Sequence, residues 1–230
     1  MHHRTIARLD RALNGKIVVS CQPVDNGPMD RDEIVVALAA AVAAGGAGGV
    51  RIEGVARVAA VRAALELPII GIVKRELDDS PVRITPWLSD VDDLANAGAD
   101  VIAIDATTRQ RPVTLAALLA RIKSHGALAM ADCSNVDEAL NADAMGFNIV
   151  GTTLSGYVSG NVPDAPDLDF IRAIAGRLPR VMAEGRFNTP AQAASAIDAG
   201  AWSVTVGTAI TRTEVVTGWF AEALKAGAAR

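Results

Sequence analysis

Three stretches of the chain read almost alike: "AGADVIAID", "AGAWSVTVG" and the looser "AGGAGGVRIE". Each ends a helix on glycine and passes small residues directly into a strand. A chain that enters strand after strand from a helix builds parallel strands, because parallel neighbours need a long crossover and a helix usually supplies it. This recurring join constrains the fold more than any other feature of the sequence.

The strands themselves are short apolar runs. Eight can be read: "KIVVSCQ" (16–22), "GVRIE" (49–53), "IIGIVK" (69–74), "DVIAIDA" (100–106), "ALAMADC" (127–133), "FNIVGTT" (147–153), "RVMAEG" (180–185) and "SVTVGT" (203–208). Helical patterns lie between them. "LSDVDDLANAG" offers a serine N-cap and ends at Gly98, and "NTPAQAASAIDAG" offers Asn or Thr as cap, Pro190 near the first helical position and Gly200 just past the end. Eight βα units in 230 residues predict a single α/β domain over 1–230, a (β/α)8 TIM barrel with a parallel eight-stranded barrel. A doubly wound open sheet is the alternative, but "PVDNGPMD" after the first strand is no dinucleotide fingerprint. "GGAGG" (45–49) precedes a strand, which makes it a turn on the face away from ligands rather than a phosphate loop.

Composition fits this reading and removes several functions. Half the residues are hydrophobic but only 3% are aromatic, so Val and Ile fill strands while Ala lets helices approach. A net charge of −4 gives no general argument for nucleic-acid or membrane partners. No apolar run reaches the roughly 18–20 residues of a membrane span, and the N-terminus lacks the apolar stretch of a signal peptide. Cys21 and Cys133 lack paired spacing and read as reduced thiols of a cytoplasmic protein. His2–His3 has no third ligand nearby and reads as no metal site.

In a barrel, chemistry sits at the C-terminal strand ends. Those ends carry Gln22, Arg51 with Glu53, Lys74, Asp105, Asp132, Thr152 with Thr153, Glu184, and Gly207 with Thr208. So many polar and ionisable groups at one end of otherwise apolar strands point to a site. The loops after strands seven and eight are where barrels hold phosphate; here Gly185 and Gly207 admit close backbone approach, Thr208 adds a hydroxyl, and Arg186 or Arg212 adds charge. Long loops follow strands three and six, and Arg83 and Tyr157 on them are candidates to close over a ligand. No histidine or acidic cluster is spaced as a metal site, and no nucleotide, flavin or pyridoxal motif occurs, so the expectation is metal: none and cofactors: none. From the residues alone, another phosphosugar epimerase, a Schiff-base lyase at Lys74 and a non-catalytic phosphosugar binder stay open.

"SCQP", "RIEGV", "PIIGIVKRE", "SPVRITPWLSDVD", "AGADVIAIDAT", "RQRP", "MADCS", "VGTTLSGY", "MAEGRFNTP" and "GAWSVTVGTAITR" occur in this order between residues 20 and 212. Together they strongly resemble the N-acetylmannosamine-6-phosphate 2-epimerase family of bacterial sialic-acid catabolism. The resemblance implies a cofactor-independent (β/α)8 enzyme interconverting N-acetylmannosamine 6-phosphate and N-acetylglucosamine 6-phosphate. It implies Lys74 as catalytic base with Glu184 as acidic partner, and Gln22, Arg51, Asp132 and Arg186 as sugar contacts, to which the strand-end and loop reading adds Arg83 and Thr153. Gly185, Gly207, Thr208 and Arg212 fall at the phosphate end, and a homodimer is implied, with Trp219, Phe220 and Leu224 of the C-terminal helix covering the barrel or a partner subunit. "VDNGPMD" departs from the family pattern.

Inverting C2 of an acetamido sugar means opening the ring, removing the proton beside the C1 carbonyl and returning one to the other face. A lysine base must be neutral, so its pKa must fall below the free value of about 10.4. Burial and Arg51 or Arg75 are expected to lower it, and Glu184 to raise it.

Overall fold

A computed structural model of the chain describes residues 4–158, 160 and 162–228; the His2–His3 pair lies outside them. The elements alternate as the joins predict: α1 (Ile6–Leu13), β1 (Ile17–Ser20), α2 (Asp32–Ala44), β2 (Gly49–Glu53), α3 (Val55–Ala64), β3 (Ile69–Ile72), α4 (Leu88–Asn96), β4 (Val101–Asp105) and α5 (Leu115–Ser124). They continue as β5 (Leu128–Asp132), α6 (Val136–Met145), β6 (Ile149–Gly151), α7 (Leu168–Ala175), β7 (Val181–Glu184), α8 (Pro190–Asp198), β8 (Ser203–Val206), α9 (Thr208–Thr211) and α10 (Thr213–Ala228). The eight strands form a closed parallel barrel in sequence order, with β1 pairing β8. The chain is a (β/α)8 barrel.

Two apolar layers hold it together. Outward residues such as Val19, Val50, Ile52, Ile102, Ile104 and Val150 pack under the surrounding helices. Inward residues Val18, Ile70, Ile72, Val101, Ala103, Met130, Ile149 and Met182 fill the barrel, and Leu9 and Leu13 of α1 join them. Helix α1 is therefore a plug for the end of the barrel where the strands begin. Gly49 makes room for it, since a Cβ there would stand 2.8 Å from Leu13 Cδ2.

Most strands are shorter than the apolar runs that announced them: Gln22, Lys74, Thr152, Thr153 and Thr208 lie past the ends of their strands, while Glu53, Asp105, Asp132 and Glu184 are the last residues of theirs. Strand β3 stops at Ile72, and Lys74 forms an isolated antiparallel bridge with Ile84 of the returning loop. Helix α4 is not capped by Ser89, which lies inside it. Asp90 instead accepts the backbone N–H of Trp87 at 3.2 Å. Thr189 caps α8 in a reciprocal box with Gln192, with Pro190 as first residue. The "GGAGG" segment turns from α2 into β2 on the plugged side. Among the described residues no helix is long and apolar enough to cross a membrane.

Candidate active site

Alternation decides what faces the barrel axis. Continuing the inward parity of Ile70–Ile72, Ala103, Met130 and Met182 by two residues brings Lys74, Asp105, Asp132 and Glu184 to the mouth. Arg51 joins them from β2, where it is in register with Ser20 and Ile70. Apolar side chains fill the lower barrel and ionisable ones crown it. Above them lies a cavity of about 570 Å³, lined among others by Gln22, Arg51, Lys74, Arg83, Thr153, Glu184, Gly185, Arg186, Gly207, Thr208 and Arg212. Of the strand-end residues named from sequence, Glu53, Asp132 and Thr152 are absent from this lining: Glu53 lines a neighbouring cleft, and Asp132 and Thr152 are buried beneath the cavity.

Asp132 is what orients Arg51. The guanidinium is 1% exposed and donates from Nη1 to Asp132 Oδ1 at 3.1 Å and from Nη2 to Asp132 Oδ2 at 2.6 Å. Nη1 also reaches Glu184 Oε2 at 3.0 Å. Thr153 Oγ1 donates to Asp132 Oδ1 at 2.6 Å. Gly151 stands in register with Asp132 and keeps the layer open: a Cβ there would be 2.5 Å from Met130 Cε and 3.2 Å from Asp132 Oδ1. Burial disfavours the Arg51 charge, but Asp132 and Glu184 outweigh it and hold the guanidinium above its ordinary range. One guanidinium serves two carboxylates, and the second gives way. Burial raises the Glu184 pKa and the Asp132 charge adds to that, against the pull of Arg51. Glu184 is thus a carboxyl suited to hold and release a proton.

Lys74 shows the opposite shift. Burial lowers its pKa, and the charges of Arg212 and Arg51 act in the same direction, while Glu53 and Asp25 oppose them. Among the described residues it makes no salt bridge within 4.0 Å. Arg75, expected beside it, is turned away: its Nε and Nη2 donate to Asp90 Oδ1 at 2.9 and 2.5 Å. The amine is therefore easier to deprotonate than a free lysine, in a site with cations on one side.

The loops after β7 and β8 bring Gly185, Gly207, Thr208 and Arg212 to the cavity. Gly185 has φ +117° and Gly207 precedes the first turn of α9, whose leading N–H groups have no partners within the helix. Arg212 is fixed by one bond, Nε to the Gln22 carbonyl at 3.1 Å. Arg186 has bonds that the sequence did not show. With φ 62° it donates from Nε to the Ala165 carbonyl at 2.7 Å and from Nη1 to the Ser155 carbonyl at 2.5 Å, and it stacks on Tyr157 at 5.4 Å. Its hydrogen bonds tie down the loop after β6, and its side chain also lines the cavity. Arg83 is half exposed at the rim and pairs with Glu76.

Sequence reasoning missed Arg109, Thr205 and Asn188, which also line the cavity, as does Trp219 of the C-terminal helix. Thr205 was legible: it keeps the inward parity of β8 and is in register with Glu184. Arg109 lies in a loop where no periodicity operates; only its place in the "RQRP" motif marked it. Among the described residues no group of three His, Cys, Asp or Glu side chains is arranged to hold a metal ion.

Comparisons with known proteins agree with this geometry. Residues 35–226 match a family model described as "NanE: Putative N-acetylmannosamine-6-phosphate epimerase". A protein of Edwardsiella ictaluri, named "Putative N-acetylmannosamine-6-phosphate 2-epimerase", is 57% identical over 215 residues, covering 94% of this chain and 92% of its own. One of the same name from Salmonella arizonae is 54% identical, covering 97% and 98%. A solved structure of the N-acetylmannosamine-6-phosphate 2-epimerase from Clostridium perfringens superposes with a TM-score of 0.91 at 36% identity, covering 96% of this chain and 98% of that one. The chain, with its closed barrel and its crown of ionisable residues, belongs to the N-acetylmannosamine-6-phosphate epimerase family.

Proposed function

We propose that this chain is a carbohydrate isomerase, interconverting N-acetylmannosamine 6-phosphate and N-acetylglucosamine 6-phosphate by proton transfer at C2. The observation that carries this reading is that one cavity holds Lys74, a partly desolvated amine that makes no salt bridge among the described residues, and Glu184, a carboxyl whose pKa burial and Asp132 push upward. Glu184 assists ring opening by exchanging a proton with the ring oxygen or the C1 hydroxyl, which creates the C1 carbonyl. Neutral Lys74 then removes the proton from C2, and the electron pair moves into the C1–C2 bond and onto the carbonyl oxygen. The buried Arg51 guanidinium favours that negative charge. Return of a proton to the opposite face of C2 and ring closure complete the turnover. Every step balances through protons alone, so the reaction calls on neither a metal nor a redox cofactor.

In this reading the phosphate lies against Gly185, Gly207, Thr208 and Arg212, where backbone N–H groups and one arginine converge. Gln22, Thr153 and Arg83 surround the sugar, and Asp132 acts by holding Arg51. Residues 1–230 act as one catalytic unit in amino-sugar breakdown. Two free, buried cysteines suit the cytoplasm. We assign the implied homodimer to α10, because Phe220 and Leu224 are largely exposed there and do not cover this chain's own barrel.

Incubating the protein with N-acetylmannosamine 6-phosphate in D₂O should place deuterium at C2 of recovered substrate and product. Lys74→Met should abolish exchange and turnover together while leaving the circular dichroism spectrum unchanged. Turnover by the wild-type protein without deuterium incorporation would sink the proton-transfer scheme.

A further inference from the structure

The cavity is polar on most sides but not on all. Ile72, Ile84 and Leu154 line it and belong to, or pack on, the apolar cluster inside the barrel, so its upper edge is left open to the mouth. This wall stands beside the reacting group, because Ile84 is the bridge partner of Lys74. It is also tied to an arginine. The Ile84 carbonyl accepts the backbone N–H of Asp105 at 3.1 Å, and Asp105 Oδ2 accepts Arg109 Nη2 at 2.6 Å. Thr107 Oγ1 accepts Arg109 Nε at 3.0 Å. These two bonds fix the guanidinium at the cavity edge and leave Nη1 to donate. The wall and the arginine lie on the β3–β4 and β6 side of the barrel, and Arg109 is half a turn from the β8 loop that carries Gly207 and Thr208.

Resting on the reaction proposed above, we infer that Ile72, Ile84 and Leu154 with Arg109 form the subsite that recognises the acyl group on the C2 nitrogen. The open-chain substrate carries hydroxyls, a phosphate and a carbonyl; its one apolar group is the acyl methyl. The acyl nitrogen is bonded to the carbon whose proton Lys74 handles, so the acyl group must lie within a few bond lengths of Lys74. The apolar wall next to Lys74 takes the methyl, and Arg109 Nη1 donates to the amide oxygen. A sugar 6-phosphate with a bare hydroxyl at C2 would leave the wall wet and the donor unused, which makes this subsite a filter for acylated amino sugars.

The test compares kcat/KM for N-acetyl-, N-propanoyl- and N-butanoylmannosamine 6-phosphate, measured with the full chain. The wild-type protein should lose at least about tenfold for each added methylene. Leu154→Ala, at the partly exposed edge of the wall, should raise the butanoyl-to-acetyl ratio at least about tenfold, and Ile84→Val should raise the propanoyl-to-acetyl ratio. Arg109→Met should raise KM for the N-acetyl sugar about tenfold, with Arg109→Lys recovering part of it. Acyl-length ratios unmoved in both wall variants, with the N-acetyl sugar still turned over, would overturn the assignment. An unchanged KM in Arg109→Met would likewise remove Arg109 from the subsite. A wild-type protein inactive on all three sugars would instead defeat the underlying reaction, so the two failures are distinguishable.

Discussion

A partly buried lysine that makes no salt bridge among the described residues has its charge set by burial and by the sum of distant fields. For Lys74 burial dominates and lowers the pKa below the ordinary lysine value of 10.5. If neutral Lys74 is the base, kcat/KM is low while the amine is protonated, rises with pH through the folded-state pKa and then levels off. That rise should have its midpoint below the free-lysine value. Glu53 lies towards the neighbouring outer cleft and favours the ammonium form, so Glu53→Gln should move the midpoint to lower pH. A pH–rate profile unmoved by this change would show that Glu53 does not set the charge of Lys74. The same shift acts on stability. Between the folded and unfolded pKa values the unfolded chain binds more protons, so stability climbs with pH across that window, and Lys74→Met should flatten the climb. The lysine was legible as a charge ending an apolar run; its charge state was not. The pKa depends on Arg212, Glu53 and Asp25, which come from other strands and loops.

Secondary elements hold the mouth in shape partly through arginines that bond to neighbouring segments. Arg186 is in a left-handed conformation that costs a non-glycine residue of order 1 kcal/mol or more, offset here by two hydrogen bonds and the Tyr157 ring. Arg186→Ala should leave the barrel folded but free the loop between β6 and α7. Limited proteolysis within residues 154–167 should speed up at least about tenfold, with a rise in KM. Unchanged cleavage would mean that the Ser155–Asp167 hydrogen bond of 2.6 Å suffices to hold the loop. The helix boundaries near "NTPAQ" were readable from sequence because caps and proline act over three or four residues. Arg186 was not readable, because its partners at 155 and 165 are brought to it by the barrel.

At the scale of the whole molecule, the two ends of the barrel do different work. The plugged end is apolar: Leu9 and Leu13 of α1 are fully buried among the inward residues of the strands. Leu13→Ala should cost about 2–5 kcal/mol in chemical denaturation and leave kcat per folded molecule unchanged, since the mouth is at the other end. A denaturation midpoint that does not fall would show that α1 rests on the barrel without plugging it. The open end holds buried charges because Arg51 donates to both Asp132 and Glu184 and Thr153 donates to Asp132, although Arg51 Nε has no partner among the described residues.

What the amino-acid sequence determined by itself is the repeat. Helical patterns alternating with eight short apolar strands, with three of the helix-to-strand joins ending on glycine and small residues, specify a parallel barrel, because propensity, capping and alternation act within a few residues of one another. It also determined which strand ends carry ionisable groups. Only the tertiary structure decided what those groups do. Closing β8 onto β1 brings Arg51 to Asp132 and Glu184 across 81 and 133 residues of chain, sets the Arg75 guanidinium on Asp90 instead of beside Lys74, and commits Arg186 to the loop after β6. Hydrogen bonds and desolvation depend on distance in space, and no local pattern along a chain encodes that.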